Sequence, residues 1–182
     1  VAAETTNLGE NYRPLYDIIS EKTIVNAIIG LLATGGSTNL TIHLIAIARS
    51  AGIHITWDDF SDLSAVIPSL TKMYPNGSAD VNYFQASGGM SYLIKSLLEH
   101  GLLHEDVNTI LGKGLKRYTK EPFLKDGELI WREGPQKSLD ESVLTSVENA
   151  FSKIAGFDVI PLKSSFSIRP LSLPLTIRSR SI

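Results

Sequence analysis

The strongest sequence constraint on the fold is a pair of apolar helical patterns separated by a very short turn. Residues 20–33, SEKTIVNAIIGLLA, place apolar residues at helical spacing behind Ser20, a residue type that often caps helices. The same spacing resumes at Leu40 and stops near Arg49 and Gly52, residue types that favour a helix end. The chain is therefore predicted to form two consecutive core-facing helices joined by a tight turn.

The turn itself permits two interpretations. Glycine and a capping residue suffice to join two buried helices, with no function involved. The same arrangement points backbone N–H groups and hydroxyls past the start of a helix, where anionic ligands are readily held. Gly36, Ser37, Thr38 and Asn39 are therefore the candidate binding residues, and helix capping is the alternative.

The remainder of the sequence alternates short strand and helix patterns. Thr56 and Asp59 have the spacing of a capping box, and Asp80 follows the turn dipeptide Asn76–Gly77 as a second helix cap. The other predictions are a strand at Ile53–Ile55, a helix at about Met90–His100, a strand at about Val107–Leu111 and a helix at about Lys113–Tyr118. Together they predict an α/β fold of layered helices and short strands.

Composition narrows the class of protein. With 182 residues, 43% hydrophobic and 20% charged, the chain can bury a core as a globular domain. A net charge of −2 argues against a general nucleic-acid binder, and no membrane span or secretory signal is apparent, so a soluble protein is predicted. The absence of cysteine excludes disulfides and iron–sulfur ligation within these 182 residues.

Changes in composition suggest three regions. Residues 1–120 carry the α/β pattern, and residues 121–158 are polar and rich in turn residues, as expected of an interdomain connector. Residues 159–182 contain four basic residues, no acid, six serines and three prolines, so residues 1–158 alone carry a charge of −6. This atypical basic tail is predicted to be disordered.

The titratable residues give weaker signals. His43, one turn after Asn39, is more readily explained as a partly buried helix residue than as a catalytic base. Gly101 separates His100 from His104, so a shared metal-binding face is not expected. The acids Asp58, Asp59 and Asp62 could form a divalent-metal cluster, but Asp58 and Asp59 suit the first turn of a helix without a metal. No catalytic residue and no metal ligand is assigned.

Five sequence motifs follow one another along the chain. They are LLATGGSTN, HLIAIARSAGI, WDDFSDLS, YPNGSADVNYFQASGG and GLLHEDVNT. In this order they resemble the family of dihydroxyacid and 6-phosphogluconate dehydratases. DDFSDLS, LKRYTKEPFL and WREGPQKSLD are similar to its sugar-acid branch, and the resemblance runs from about residue 10 to about residue 151.

The resemblance implies a hydro-lyase that removes water from 6-phospho-D-gluconate to give 2-keto-3-deoxy-6-phosphogluconate, a step of the Entner–Doudoroff pathway. A dihydroxyacid or other sugar acid is the alternative substrate. The family's chemistry implies an iron–sulfur cluster as Lewis acid and also admits a divalent metal. A phosphorylated sugar acid would suit Ser37 and Thr38 as hydroxyl donors and Asn39 as an amide donor.

The resemblance also implies what the chain lacks. In the family, the cluster-binding cysteines and acidic metal ligands precede the matched region, and a TDGRLSG-type segment with the proposed serine base follows it. The chain is therefore expected to be an inactive fragment of the amino-terminal domain of a larger two-domain dehydratase. The intact enzyme is expected to be a cytoplasmic homodimer. A non-catalytic α/β interaction module with a basic tail is the alternative from another class.

Overall fold

The structure, a computed structural model, describes residues 5–6, 11–74 and 76–155. Its α-helices within these ranges are α1 (Leu15–Ile18), α2 (Glu21–Thr34), α3 (Thr38–Ser50), α4 (Trp57–Ser64), α5 (Val81–Ser87) and α6 (Gly89–Glu99). They are followed by β1 (Asn108–Thr109), β2 (Gly112–Lys113), the 3-10 helix Lys116–Thr119, β3 (Lys120–Lys125) and β4 (Glu128–Glu133). This mixture of helices and short antiparallel strands confirms the predicted α/β class. None of the described helices has the length and apolar character needed to cross a membrane.

The hydrophobic core is built around α2 and α6. Both helices place apolar residues at three- and four-residue intervals, so each buries one face. Ile28, Leu32, Leu93, Leu97 and Leu144 are at most 2% exposed within a single cluster. Burial of each such side chain contributes about 1.5–3 kcal/mol. The pair of helices predicted first thus supplies part of the core, and α6 completes it.

The predicted helix starts of α2, α4 and α5 are confirmed by their side-chain caps. Ser20 and Thr23 form a reciprocal capping box, in which the backbone N–H of Ser20 donates to Thr23 Oγ1 at 2.7 Å. The backbone N–H of Thr56 donates to Asp59 Oδ2 at 2.6 Å. Asp80 accepts two backbone hydrogen bonds from the first turn of α5, and these lower the pKa of its carboxyl.

The strand predicted at Ile53–Ile55 is wrong. These residues lie in irregular backbone, and no strand of the described residues lies beside them to pair with. The backbone N–H of Ile53 donates to the carbonyl of Ala48 at 2.8 Å, so this position belongs to the end of α3. Both isoleucines are half-buried against the core, which accounts for their alternation without a sheet.

Two predicted elements that follow α6 are shorter than expected. The strand predicted at Val107–Leu111 is a minimal hairpin in which Thr109 of β1 lies opposite Gly112 of β2. The helix predicted at Lys113–Tyr118 is only the 3-10 helix. Gly112 and Gly114 have φ values of 119° and 91°, which are incompatible with a helix at these two positions.

Residues 121–158, predicted to be a polar connector, contain a β-hairpin. Strands β3 and β4 pair along all six residues of each, starting with Lys120 opposite Glu133. Asp126 and Gly127 have φ values of 51° and 84°, as a type I′ hairpin turn requires. The Asp–Gly pair between two apolar runs was the sequence signal for this hairpin, and the high polarity of the region concealed it.

The end of this region returns to the core. The backbone N–H of Thr145 donates to the carbonyl of Leu70 at 2.9 Å, and that of Phe151 donates to the carbonyl of Ser69 at 3.0 Å. The division into regions 1–120 and 121–158 stays a prediction, but residues 143–152 pack on segment 69–73 of the first region. The predicted disordered tail, 159–182, lies outside the described residues.

His100 joins the end of α6 to this returning segment. Its Nδ1 lies 2.7 Å from the carbonyl oxygen of Ser96, and its Nε2 lies 3.1 Å from Oε1 of Glu148. Because both partners are acceptors, both ring nitrogens donate in the charged imidazolium. The Ser96 carbonyl and the Glu148 carboxylate raise the pKa of His100, although partial burial opposes them. A hydrogen bond from Ser146 and the nearby imidazolium lower the pKa of Glu148.

We expect the contribution of His100 to the free energy of unfolding to decrease as the pH rises. Because its pKa is raised in the folded state, this contribution is complete below the ordinary value of 6.5 and is lost as the pH rises through the folded-state value. His100→Gln removes the titration. The difference in unfolding free energy between wild type and variant, measured with urea, should therefore narrow as the pH is raised from below 6.5 to above it. If the difference in unfolding free energy does not change with pH, the raised pKa of His100 is contradicted.

Candidate functional site

The turn between α2 and α3 is a compact helix ending. Gly35 follows α2 in the left-handed conformation, with φ at 60°. Its N–H donates to the carbonyl of Leu32 at 3.2 Å, and the N–H of Gly36 donates to that of Leu31 at 3.0 Å. This pair of bonds is the Schellman arrangement, which reverses the chain within two residues.

Both glycines lie close to neighbouring side chains. A Cβ atom on Gly35 would lie 2.0 Å from Nδ2 of Asn76, and one on Gly36 would lie 2.6 Å from Cδ1 of Leu31. The positive φ of Gly35 adds backbone strain to any substitution there. The two glycines therefore allow the chain to approach its neighbours closely at this point.

A neighbouring segment fixes the turn from outside. The carbonyl of Ala33 accepts a hydrogen bond from the N–H of Leu70 at 2.8 Å, and the carbonyl of Thr34 accepts one from Thr71 Oγ1 at 2.7 Å. The carbonyl of Gly35 accepts one from Asn76 Nδ2 at 3.2 Å. Three consecutive carbonyls, the last two of α2 and that of Gly35, are thus held by Leu70, Thr71 and Asn76. Sequence reasoning did not identify Thr71 or Asn76 in this role, because no local pattern links them to the turn.

The polar side chains that follow the turn are free. Ser37 occupies the N-cap position of α3 with extended backbone angles, but its side chain makes no capping hydrogen bond. Ser37, Thr38 and Asn39 are all exposed, and none of their side chains bonds to another residue that the structure describes. By contrast, Ser20 does cap α2. The capping interpretation of residues 37–39 therefore lacks the hydrogen bond that it requires.

His43 is exposed, so the expectation that it is partly buried is wrong. The buried residues of α3 are Thr41, Leu44 and Ala48, which define the core-facing side of this helix. Residues four apart on a helix lie on the same face, so His43 is next to Asn39. The helix start and His43 together present polar groups on one exposed surface.

Two acids of the run 58–62, Asp58 and Asp59, stabilise the start of α4. Oδ2 of Asp59 accepts hydrogen bonds from the backbone N–H and from Oγ1 of Thr56, at 2.6 and 3.0 Å. Asp58 is exposed in the same first turn, where the helix dipole favours negative charge. Within the described part of the chain, no group of three or more His, Cys, Asp or Glu residues could hold a metal ion.

The two histidines near the end of α6 have different hydrogen-bond partners. His100 bonds to Ser96 and Glu148, whereas the backbone N–H of His104 donates to Asn26 Oδ1 at 2.9 Å. An iron–sulfur cluster also does not fit this chain, since its usual ligands are cysteine thiolates and the 182-residue sequence contains none. The sequence therefore offers no thiolate for such a cluster.

The described residues thus form an α/β segment with exposed polar side chains beside a glycine turn. The family model described as "Dihydroxy-acid/6-phosphogluconate dehydratase N-terminal" matches residues 2–118. This match spans most of the chain, so the chain belongs to the dihydroxy-acid/6-phosphogluconate dehydratase family. The resemblance predicted from the sequence motifs is confirmed.

Individual relatives agree with this family. The phosphogluconate dehydratase of Pseudomonas aeruginosa is 58% identical over 155 residues, which are 85% of this chain and 26% of that enzyme. The phosphogluconate dehydratase of Zymomonas mobilis is 52% identical over 153 residues, 84% of the chain and 25% of the enzyme. The dihydroxy-acid dehydratase of Acaryochloris marina is 44% identical over 97 residues, 53% of the chain and 17% of the enzyme. The chain thus spans about a quarter of the length of the phosphogluconate dehydratases it matches.

Substitution of the two glycines Gly35 and Gly30 should have opposite effects on stability. Gly35→Ala introduces a Cβ in the left-handed region against Asn76, so we expect the unfolding free energy to fall by about 1–2 kcal/mol. Gly30→Ala, inside α2 with no atom within 4 Å of the added Cβ, should raise it by about 0.5–1 kcal/mol. Urea unfolding followed by circular dichroism measures both. Equal changes in the unfolding free energy for Gly35→Ala and Gly30→Ala would show that the turn is not fixed as described.

Proposed function

We propose that this chain is a segment of a phosphogluconate dehydratase that removes water from 6-phospho-D-gluconate to give 2-keto-3-deoxy-6-phosphogluconate. The observation that carries the proposal is 58% identity to a phosphogluconate dehydratase across 85% of the chain. The match to a dihydroxy-acid dehydratase is 44% and reaches only 53% of the chain, which favours the phosphorylated sugar acid. A place in the Entner–Doudoroff pathway, a cytoplasmic location and a homodimeric enzyme belong to the same proposal.

The reaction defines what the protein must recognise. A base takes the proton from the carbon next to the carboxylate, and the neighbouring hydroxyl leaves as water. The resulting enol then becomes the 2-keto acid. The substrate is anionic at both ends, through its carboxylate and its phosphate. Fixed hydrogen-bond donors that contact these groups position the substrate and stabilise the charge that develops during the reaction.

We assign substrate binding to Gly36, Ser37, Thr38 and Asn39. Ser37 and Thr38 would donate their hydroxyls and Asn39 its side-chain amide to the carboxylate or the phosphate. Support comes from the free, exposed side chains of residues 37–39 and from the hydrogen bonds that fix the preceding turn. Because the turn is already fixed, binding an anion beside it does not carry the entropic cost of ordering a loop.

We place the Lewis-acid part of the reaction outside this chain. The iron–sulfur cluster of the family requires thiolate ligands, and the sequence contains no cysteine. We therefore expect the purified 182-residue chain to show no dehydration of 6-phosphogluconate above a buffer control, because the departing hydroxyl is not activated. Formation of the 2-keto acid by this chain after treatment with a chelator would overturn this expectation.

The roles of Ser37, Thr38 and Asn39 can be tested in a chimera. In the Pseudomonas aeruginosa enzyme, the region matched by this chain is replaced with the corresponding residues of this chain, and each of the three is changed to Ala. Loss of a hydrogen bond to a charged substrate group should lower kcat/KM about ten-fold to a hundred-fold. The melting temperature should hardly change, since Ser37 makes no capping bond.

Ser20→Ala is the matched control for Ser37→Ala, because Ser20 does cap a helix. This variant should lose about 1 kcal/mol of stability and keep its kcat/KM. If the Ser37, Thr38 and Asn39 variants instead lower the melting temperature and keep kcat/KM within about two-fold, the turn is only a helix connection.

A further inference from the structure

One face of the β3–β4 hairpin is an exposed apolar surface. Cross-strand pairing and the two-residue alternation of strands place Pro122 opposite Trp131 and Leu124 opposite Leu129 on this face. Leu124, Leu129 and Trp131 are 69%, 63% and 50% exposed. We call these four residues the apolar hairpin face. Lys120 and Glu133 lie at its base and neutralise each other through an ion pair of 2.8 Å.

The opposite face of the hairpin is less exposed, with Phe123 at 41% and Ile130 at 39%. Glu121 accepts a hydrogen bond from Ser91 of α6 at 3.3 Å, and Arg132 contacts the same carboxylate at 3.2 Å. The guanidinium of Arg132 also lies over the ring of Phe123, 4.7 Å from its centroid. The Ser91–Glu121 hydrogen bond therefore joins this side to α6, and the apolar hairpin face is the more exposed of the two sides.

We expect the apolar hairpin face to be buried against another surface. A hairpin of only two strands is marginally stable in water, and contiguous exposed apolar side chains commonly mark an interaction surface. Within the described residues, β3 and β4 pair only with each other. That surface should be apolar and uncharged, because the four residues that define the face carry no charge and the ion pair at its base is neutral overall.

A second copy of the chain is a poor candidate for supplying this surface. Antiparallel pairing of β4 with its copy would bring Glu128 opposite Glu133, and pairing of β3 with its copy would bring Lys120 opposite Lys125. Like charges directly opposite each other disfavour both arrangements. Contact of two apolar hairpin faces would involve only four side chains per copy, well below the area of about 800 Å² per partner that stable complexes bury.

We propose that the apolar hairpin face docks on an apolar surface of the phosphogluconate dehydratase polypeptide outside this segment. The inference rests on the proposed function, in which the chain works as part of that enzyme. The matched residues amount to 26% of the Pseudomonas aeruginosa relative, so about three quarters of such a polypeptide remains to supply the surface. The hairpin would then join the segment that binds substrate to the remainder of the enzyme.

The test compares two double variants in two contexts, the 182-residue chain and the chimera described above. Leu124→Ser/Leu129→Ser removes apolar side chains from the apolar hairpin face. Lys125→Ser/Glu128→Ser is the control, since it alters the cross-strand pair next to the turn on the opposite face. In the isolated chain, both double variants should change the melting temperature equally little. In the chimera, only the leucine variant should lower it and speed amide hydrogen exchange in residues 120–133 about ten-fold or more.

Several results would overturn the docking proposal. One is an equal effect of the leucine variant in both contexts, and another is exchange in residues 120–133 that is as fast in the chimera as in the isolated chain. Concentration-dependent dimerisation of the isolated chain that is abolished by the leucine variant would assign the face to a second copy. If the chimera does not fold, only residues 120–133 are exchanged into the Pseudomonas aeruginosa enzyme, and hairpin exchange as fast as in the isolated chain counts against docking.

The results that would contradict the proposed function differ from those that would contradict docking. A chimera with a protected hairpin that turns over a dihydroxyacid in place of 6-phosphogluconate would contradict the assigned substrate and support docking. A chimera that is active on 6-phosphogluconate but has an unprotected hairpin would support the function and overturn docking. The two conclusions therefore depend on separate measurements.

Discussion

The hydrogen bonds from residues 70–76 to the last carbonyls of α2 determine much of this structure. Carbonyls at a helix end have no partner within the helix, and leaving them unsatisfied in a buried place is costly. Leu70 and Thr71 are almost fully buried, and their bonds fix the position at which α2 stops. The Gly35–Gly36 reversal and the direction of α3 follow from that end point, and the exposed polar residues 37–39 follow from that direction.

The parts of the fold that depend on local chemistry were predictable from the sequence. Ser20, Thr56 and Asp80 marked helix starts, because a capping side chain bonds to backbone groups only two or three residues away. The strand predicted at Ile53–Ile55 failed, because alternation of apolar residues indicates half-burial and does not supply a pairing partner. The β3–β4 hairpin was obscured by the polar composition around its turn, although its Asp126–Gly127 signal is local.

The sequence identified the candidate site but did not distinguish substrate binding from helix capping. A serine after two glycines predicts a helix start whether or not its hydroxyl caps the helix, so both interpretations of Ser37 shared one pattern. The structure bears on the capping interpretation alone, since the Ser37 side chain makes no capping bond. The support that Thr71 and Asn76 give to the turn could not be predicted, because both are distant in sequence and contact the turn only after folding.

The contact between segment 69–73 and residues 143–152 has a consequence for biosynthesis. Backbone groups of Leu70 and Lys72 bond to Thr145 and Val143, which leave the ribosome many residues later. Contacts between such distant residues form slowly, because the intervening chain must be ordered before the contact is gained. Until residues 143–152 emerge, a growing chain exposes the unpaired edge of segment 69–73. A nascent polypeptide in this state is open to mispairing and to binding by chaperones.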